Sequence, residues 1–182
     1  MGKVYQRTTR YKCMKEIYYQ GRSFGEAGKV LIESENNNLF VPGMINICLS
    51  AEIFLKSINA SMTNLEDEIE INGTTVYQGR NETLKILPSG KGHVLSKLFD
   101  GLPEDIRNEI TQYARQEEYE GSVSKGLKKY DDVFVEWRYI YEKNDPKTLG
   151  NHPLFKIVNA VSRYCEANLN KVIDCSANEV RC

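Results

Sequence analysis

The feature that most constrains this fold is residues 40–62, a segment that is apolar around almost its whole helical circumference. A helix without a polar face cannot lie on a protein surface, so it belongs in the middle of a bundle. Pro42 fits the start of such a helix, because proline is tolerated in the first turn. Glu52 and Lys56 interrupt the apolar run one turn apart, where they can form an i,i+4 ion pair. The segment therefore predicts a central helix.

A second helix is predicted before this segment, over residues 8–34, where apolar and small residues recur every three or four positions. Thr8 or Thr9 can cap its start. Glycine lowers helix propensity, yet three glycines share the inward stripe, which indicates that another helix approaches closely there. These glycines are Gly21, Gly25 and Gly28.

Helical periodicity returns in the second half of the chain. A short helix is expected from His93 to near Gly101, and another begins at Pro103, where a first-turn proline is followed by two acidic residues. Residues 121–132 are expected to form a weak helix or a loop. The last helix is predicted over about 153–174, because its apolar residues again follow the helical period.

Between the central helix and His93, the pattern changes to that of a β-hairpin. Residues 68–77 surround Asn72 and Gly73, which supply the positive φ angles of a two-residue type I′ turn. Residues 83–87 can add a third short strand. The expected register places Ile69 opposite Val76 and Ile71 opposite Thr74.

The length of 182 residues fits a single domain with a sizeable core. Short, mostly antiparallel helices with brief connections favour an up-and-down bundle. We therefore predict a mainly α fold: one helical domain over residues 1–182, with a β-hairpin inserted at about 66–88.

Charge and hydropathy exclude several functional classes. The chain carries 24 basic and 25 acidic side chains, a net charge of −1, so binding to nucleic acid or anionic lipid would need a local patch. It contains no run of about 18 apolar residues and no apolar signal-peptide core near the N-terminus. We therefore expect a cytoplasmic protein that does not associate with a membrane.

Metal and Walker-type phosphate sites are not expected either. The five cysteines are scattered without a Cys-x-x-Cys pair, and His93 and His152 are the only histidines, so we predict no metal and no cofactor. Residues 88–92 contain Gly-Lys-Gly. They lack the upstream glycine and the Ser or Thr after the lysine that a Walker-type loop requires.

A polar residue stands out in the helix predicted over residues 134–142. Arg138 lies among the aromatic residues of the apolar face. A guanidinium stays charged and is costly to desolvate unless acceptors meet it. Arg138 is therefore either held in a buried network or lines a pocket, and we expect it within hydrogen-bond reach of Glu52 or Glu142.

Three motifs in order resemble bacterial members of the HEPN superfamily, which are small helical-bundle proteins found in toxin–antitoxin and phage-defence loci. The motifs are residues 46–56 with Glu52 and Lys56, the Gly-His-Val-Leu element at 92–95, and residues 137–142 with Arg138. The resemblance covers roughly residues 40–175. It implies a helical bundle in which the hairpin is an insertion between the second and third helices.

The same resemblance bears on activity. Catalytic members of the family are metal-independent ribonucleases with a histidine four to six residues after the arginine. Here those positions hold Lys143, Asn144 and Asp145. Without an imidazole there, no group has a pKa suited to general acid–base catalysis near neutral pH. We therefore predict no catalytic residue and no RNA cleavage by the purified protein.

The leading hypothesis is a non-catalytic or degenerate HEPN-like module that binds RNA, a nucleotide or a partner protein, as a homodimer. One alternative is a metal-independent ribonuclease effector that uses Arg138. Another is a purely structural interaction module whose exposed hairpin edge receives a partner strand. The candidate binding residues are Glu52, Lys56, His93, Arg138, Tyr139 and Glu142.

Overall fold

The structure, a computed structural model, describes residues 3–133 and 152–180. Six α-helices and five β-strands lie in these ranges. The helices are α1 (Lys15–Glu33), α2 (Phe40–Ser57), α3 (Leu95–Asp100), α4 (Glu104–Gln116), α5 (Val123–Lys128) and α6 (His152–Ala167). The strands are β1 (Val4–Tyr11), β2 (Ser61–Ile71), β3 (Thr74–Gly79), β4 (Lys85–Leu87) and β5 (Val172–Val180).

The fold is mixed α/β, so the prediction of a mainly α up-and-down bundle with only a hairpin is wrong. All five strands join one antiparallel sheet in the order β3-β2-β1-β5, and β4 also pairs with β2. The sheet unites both ends of the described chain, because β1 lies between β2 and β5. The hairpin and β4 have a local sequence signal, whereas β1 and β5 become strands by pairing with distant segments.

Strand β1 occupies residues that were expected to begin the first helix at Thr8 or Thr9. The segment is rich in aromatic and β-branched residues, which pack well on a pleated surface. It pairs with β2 from Val4 opposite Asp67 to Arg10 opposite Ser61. Helix α1 instead begins at Lys15. Pairing with two neighbouring strands therefore overrides the weak helical spacing.

Strand β5 corrects the end of the predicted final helix. Helix α6 ends at Ala167, and Asn170, with φ of 52°, turns the chain towards the sheet. Val172 and Ile173, expected on a buried helical stripe, are 55% and 40% exposed. Although their spacing fits a helix, both residues belong to β5, which pairs with β1.

The hairpin is confirmed, with Ile69 opposite Val76 and Ile71 opposite Thr74. Asn72 and Gly73 have φ angles of 52° and 78°, as a type I′ turn requires. The third short strand is also present, as β4, and it pairs with the first half of β2. The central helix accordingly stops at Ser57, earlier than the expected residue 62.

Helix α2 lies at the centre of the helical part, as predicted, and packs against α1, α3 and α6. The close approach of α1 at its glycines is confirmed. A Cβ atom on Gly21 would lie 2.9 Å from the Phe54 ring, and one on Gly28 would lie 2.9 Å from the Gly43 carbonyl oxygen. No side chain fits between the two helices at these positions.

The hydropathy of the central helix is that of a possible membrane span. By length and composition alone, the stretch Asn37–Ser57 could cross a membrane, with a mean hydropathy of 1.5. Half of its most apolar part is buried inside the protein. A buried core helix has the same composition, and α2 packs against α1, α3 and α6.

The sheet extends away from the helical core. Every residue of β3 and β4 is exposed, as is every residue of β5 except the last. The junction is at Cys13, which forms isolated bridges with Ile58 and Leu169. The loop that follows β4 returns the chain to the helices and carries His93.

Candidate functional site

Glu52 and Lys56 form the ion pair expected from their spacing on α2. Lys56 Nζ lies 2.7 Å from Glu52 Oε1, and the two side chains are 17% and 5% exposed respectively. The surrounding residues of α2 are apolar and buried, so the pair is held where charges are costly without a partner.

His93 joins this pair, which brings together three of the candidate residues. Its Nδ1 lies 2.9 Å from the same Oε1 of Glu52, across 41 positions in the sequence. Because a carboxylate only accepts hydrogen bonds, Nδ1 carries the hydrogen, and Nε2 is the basic nitrogen of the neutral ring. The His93 side chain is 77% exposed, so the cluster has a buried carboxylate and an accessible imidazole.

Backbone geometry fixes the position of His93. Gly92 has φ of 85°, a conformation that favours glycine, and it turns the loop towards α3. The Ser89 amide donates to the Lys56 carbonyl at 3.4 Å, which joins the loop to the last turn of α2. Asp131 then accepts hydrogen bonds from the Ser96 amide at 2.8 Å and the Ser96 hydroxyl at 2.6 Å, in the first turn of α3.

One acceptor of the cluster is unused. Glu52 Oε2 is buried and has no hydrogen-bond partner among residues 3–133 and 152–180. The remaining candidates, Arg138, Tyr139 and Glu142, lie outside the described residues, so the expected contact between Arg138 and Glu52 stays a prediction.

The structure also brings together a group of basic residues near this cluster that the sequence does not point to. Arg10, Lys91 and Lys97 line a cavity of about 450 Å³ together with Asn59. Lys91 lies two residues before His93, in the Gly-Lys-Gly stretch that was dismissed as a Walker loop. That stretch was the only local signal, because Arg10 was assigned to a helix and Lys97 reads as an ordinary exposed lysine.

A second cavity, of about 220 Å³, lies between α1, α2 and α6. Its polar side is held by the Tyr18 hydroxyl, which donates to Glu166 at 2.6 Å while its ring stacks on Phe54. Burial and the neighbouring carboxylate raise the pKa of Tyr18 above its usual range, so the phenol stays protonated. The Ser50 hydroxyl on the cavity wall is packed against Gly25.

The four cysteines within the described residues form no ligand set. Cys13, Cys48 and Cys165 are buried, and burial raises the pKa of Cys48 to about 12. Ser57 Oγ lies 3.2 Å from Cys13 Sγ and 3.5 Å from Cys165 Sγ. In the part of the chain that the structure describes, no group of three or more His, Cys, Asp or Glu side chains is placed to hold a metal ion.

No protein-family model, no curated protein and no solved structure matches this chain. The resemblance to the HEPN superfamily therefore depends on the three sequence motifs alone.

Proposed function

We propose that this chain is a non-catalytic, HEPN-like module that binds RNA in the cytoplasm, within a bacterial defence or toxin–antitoxin system. The observation that supports the proposal is the contact of His93 with Glu52 and Lys56. These are three of the residues that the resemblance selects. His93 lies 41 positions after Glu52 in the sequence.

The chemistry of the cluster suits binding better than catalysis. Lys56 is neutralised by Glu52 and is largely buried, so it positions the carboxylate and does not contact a ligand directly. His93 is the accessible member, and its ring can stack on a base or donate to a phosphate when protonated. The basic side chains beside it supply the local positive charge that the whole chain lacks.

A ribonuclease remains the second candidate, because of one observation. A buried carboxylate orients the His93 ring through Nδ1, which leaves Nε2 able to accept a proton from a ribose hydroxyl. Cleavage also needs a proton donor and a group to stabilise the negative charge of the transition state. The absence of a histidine four to six residues after Arg138 weighs against this function.

Binding and cleavage of a single-stranded RNA by the wild-type protein separate these functions. We expect binding without cleavage. The change His93→Asn should weaken binding on the order of fivefold, since one hydrogen bond contributes about 1 kcal/mol. The control Lys128→Gln, at an exposed end of α5, should leave the affinity unchanged.

The opposite result is equally specific. If wild-type protein cleaves RNA, and both Arg138→Ala and His93→Asn abolish the cleavage, the chain is a ribonuclease and the non-catalytic proposal is wrong. Cleavage that survives both changes comes from a contaminating nuclease.

We also propose that the chain forms a homodimer. The support is the open sheet, whose outer strands β3 and β5 have no further strand beside them within the described residues. An exposed strand edge presents unpaired amide and carbonyl groups, which a second sheet can pair with. Light scattering during size-exclusion chromatography would test this, and a monomer at micromolar concentration would contradict it.

A further inference from the structure

We propose that the cavity lined by Arg10, Asn59, Lys91 and Lys97 binds phosphate groups of an RNA strand. The inference rests on the proposed function and adds a binding site to it. The cavity is about 450 Å³, within the size range of ligand sites in proteins.

The charge of the cavity supports an anionic ligand. Three cationic side chains come from three separate elements: β1, the loop after β4, and α3. Among the described residues that line the cavity, none is acidic. Arg10 pairs with Asp174 on β5, whereas Lys91 and Lys97 make no ion pair within the described residues. The two ammonium groups are therefore available to a ligand.

Asn59 adds a polar group to the wall. It has φ of 57°, in the turn between α2 and β2, and its buried Oδ1 has no partner among residues 3–133 and 152–180. The Nδ2 amide group of Asn59 is a donor, and it can donate to a phosphate oxygen in the cavity.

The loop is shaped to hold Lys91 over this cavity. A Cβ atom on Gly90 would lie 2.5 Å from Leu98 Cδ2, so the loop lies close against α3 at this position. Gly92 follows with its positive φ and directs the chain to His93. Lys91 lies between these two glycines, two residues before His93, and lines the cavity.

Phosphate chemistry is shared by RNA and free nucleotides, and the geometry favours RNA. A single strand can place one phosphate in the cavity while a neighbouring nucleotide reaches His93, two residues along the loop from Lys91. The loop of residues 88–92 is then a phosphate-contacting segment, although it lacks the Walker pattern.

The test measures RNA affinity for the double variant Lys91→Gln/Lys97→Gln across a series of salt concentrations. Two lost phosphate contacts should weaken binding of a short single-stranded RNA about tenfold and reduce the slope of log affinity against log salt by about 1.4. The control Lys128→Gln/Lys129→Gln removes the same charge from exposed positions outside the cavity, and it should change neither quantity by a comparable amount.

Each other outcome is decisive. Tight RNA binding with an unchanged slope in the double variant overturns the cavity assignment and leaves the RNA-binding function standing. If wild-type protein binds ATP or pyrophosphate but no RNA, and the double variant abolishes that binding, the cavity is a phosphate site for a free nucleotide and the RNA proposal is wrong. Absence of binding to all three probes overturns both proposals.

Discussion

At the scale of single residues, the buried ion pair between Glu52 and Lys56 should control local stability. The change Lys56→Met leaves the Glu52 carboxylate largely buried, with His93 as its one remaining ionic partner among residues 3–133 and 152–180. Breaking such a pair from one side costs on the order of 3 kcal/mol. Urea denaturation of the two proteins should show this loss of unfolding free energy.

The double variant Glu52→Gln/Lys56→Met provides the control, because it removes both charges. Removing both charges avoids an uncompensated buried charge, which is the main cost of breaking the pair from one side. We therefore expect the double variant to be more stable than Lys56→Met alone. Equal destabilisation of both proteins would show that packing, and not the charge, explains the effect.

The sheet environment lowers the pKa of Cys175 on β5. The thiol is exposed, and hydrogen bonds from Thr9 and Arg7 lower its pKa. A lowered pKa means that the reactive thiolate forms at a lower pH than for an ordinary cysteine. The measurement uses the Cys182→Ser variant and follows the rate of reaction with iodoacetamide as the pH is raised. The rate should rise at a lower pH than it does for an ordinary free thiol.

The same experiment on Thr9→Val and Arg7→Ala checks the cause. Each change removes a hydrogen bond that favours the thiolate, so the rate curve should shift to higher pH. Buried Cys13, Cys48 and Cys165 should not react while the protein is folded. A curve that neither variant moves would show that the two side chains do not stabilise the thiolate.

At the scale of the elements, the contact between α1 and α2 makes an unusual prediction for a helical glycine. Replacing glycine by alanine inside a helix normally stabilises it by up to about 1 kcal/mol. Gly28→Ala should instead destabilise the protein by about 1–3 kcal/mol, because the new methyl group meets the Gly43 carbonyl oxygen and both helix backbones must move apart. Thermal or chemical unfolding measures the sign directly.

Gly25→Ala is the matched comparison on the same stripe. Its methyl group would meet the Ser50 hydroxyl at 2.8 Å, and a side-chain hydroxyl can rotate away. The loss of stability should therefore be smaller than for Gly28→Ala. If both variants are as stable as the wild type, the helices do not approach as closely as the structure describes.

The elements also show which parts of the fold a single sequence can predict. The hairpin was predictable because Asn72-Gly73 determines its turn locally, and α2 was predictable because its apolar circumference allows only a central position. Strands β1 and β5 were not, since each becomes a strand through pairing with a distant segment. The same limit applies to the site. The Glu52–Lys56 pair follows from helical spacing, whereas the meeting of Arg10 with Lys97 requires the sheet to be known first.

At the scale of the whole molecule, the helical core and the projecting sheet should differ in local stability. The side chains of α2 are mostly buried, whereas those of β3 and β4 are all exposed. Opening β3 or β4 therefore exposes little apolar surface and breaks few contacts with the core. The free energy of this local opening should lie well below that of global unfolding. Backbone amides in β3 and β4 should exchange hydrogen faster than those in α2.

Hydrogen exchange followed by mass spectrometry would test this order, and β1 sharpens the test. It is the strand between β2 and β5, and Val4 within it is buried, so opening it requires both neighbouring strands to separate. Its amides should exchange at rates between those of β3 and α2. RNA bound at the cavity of Arg10 and Lys97 would join the end of β1 to α3, and exchange in β1 should then slow while β3 stays unchanged. Uniform protection of β3, β1 and α2 would instead show that the sheet and the helices unfold as one cooperative unit.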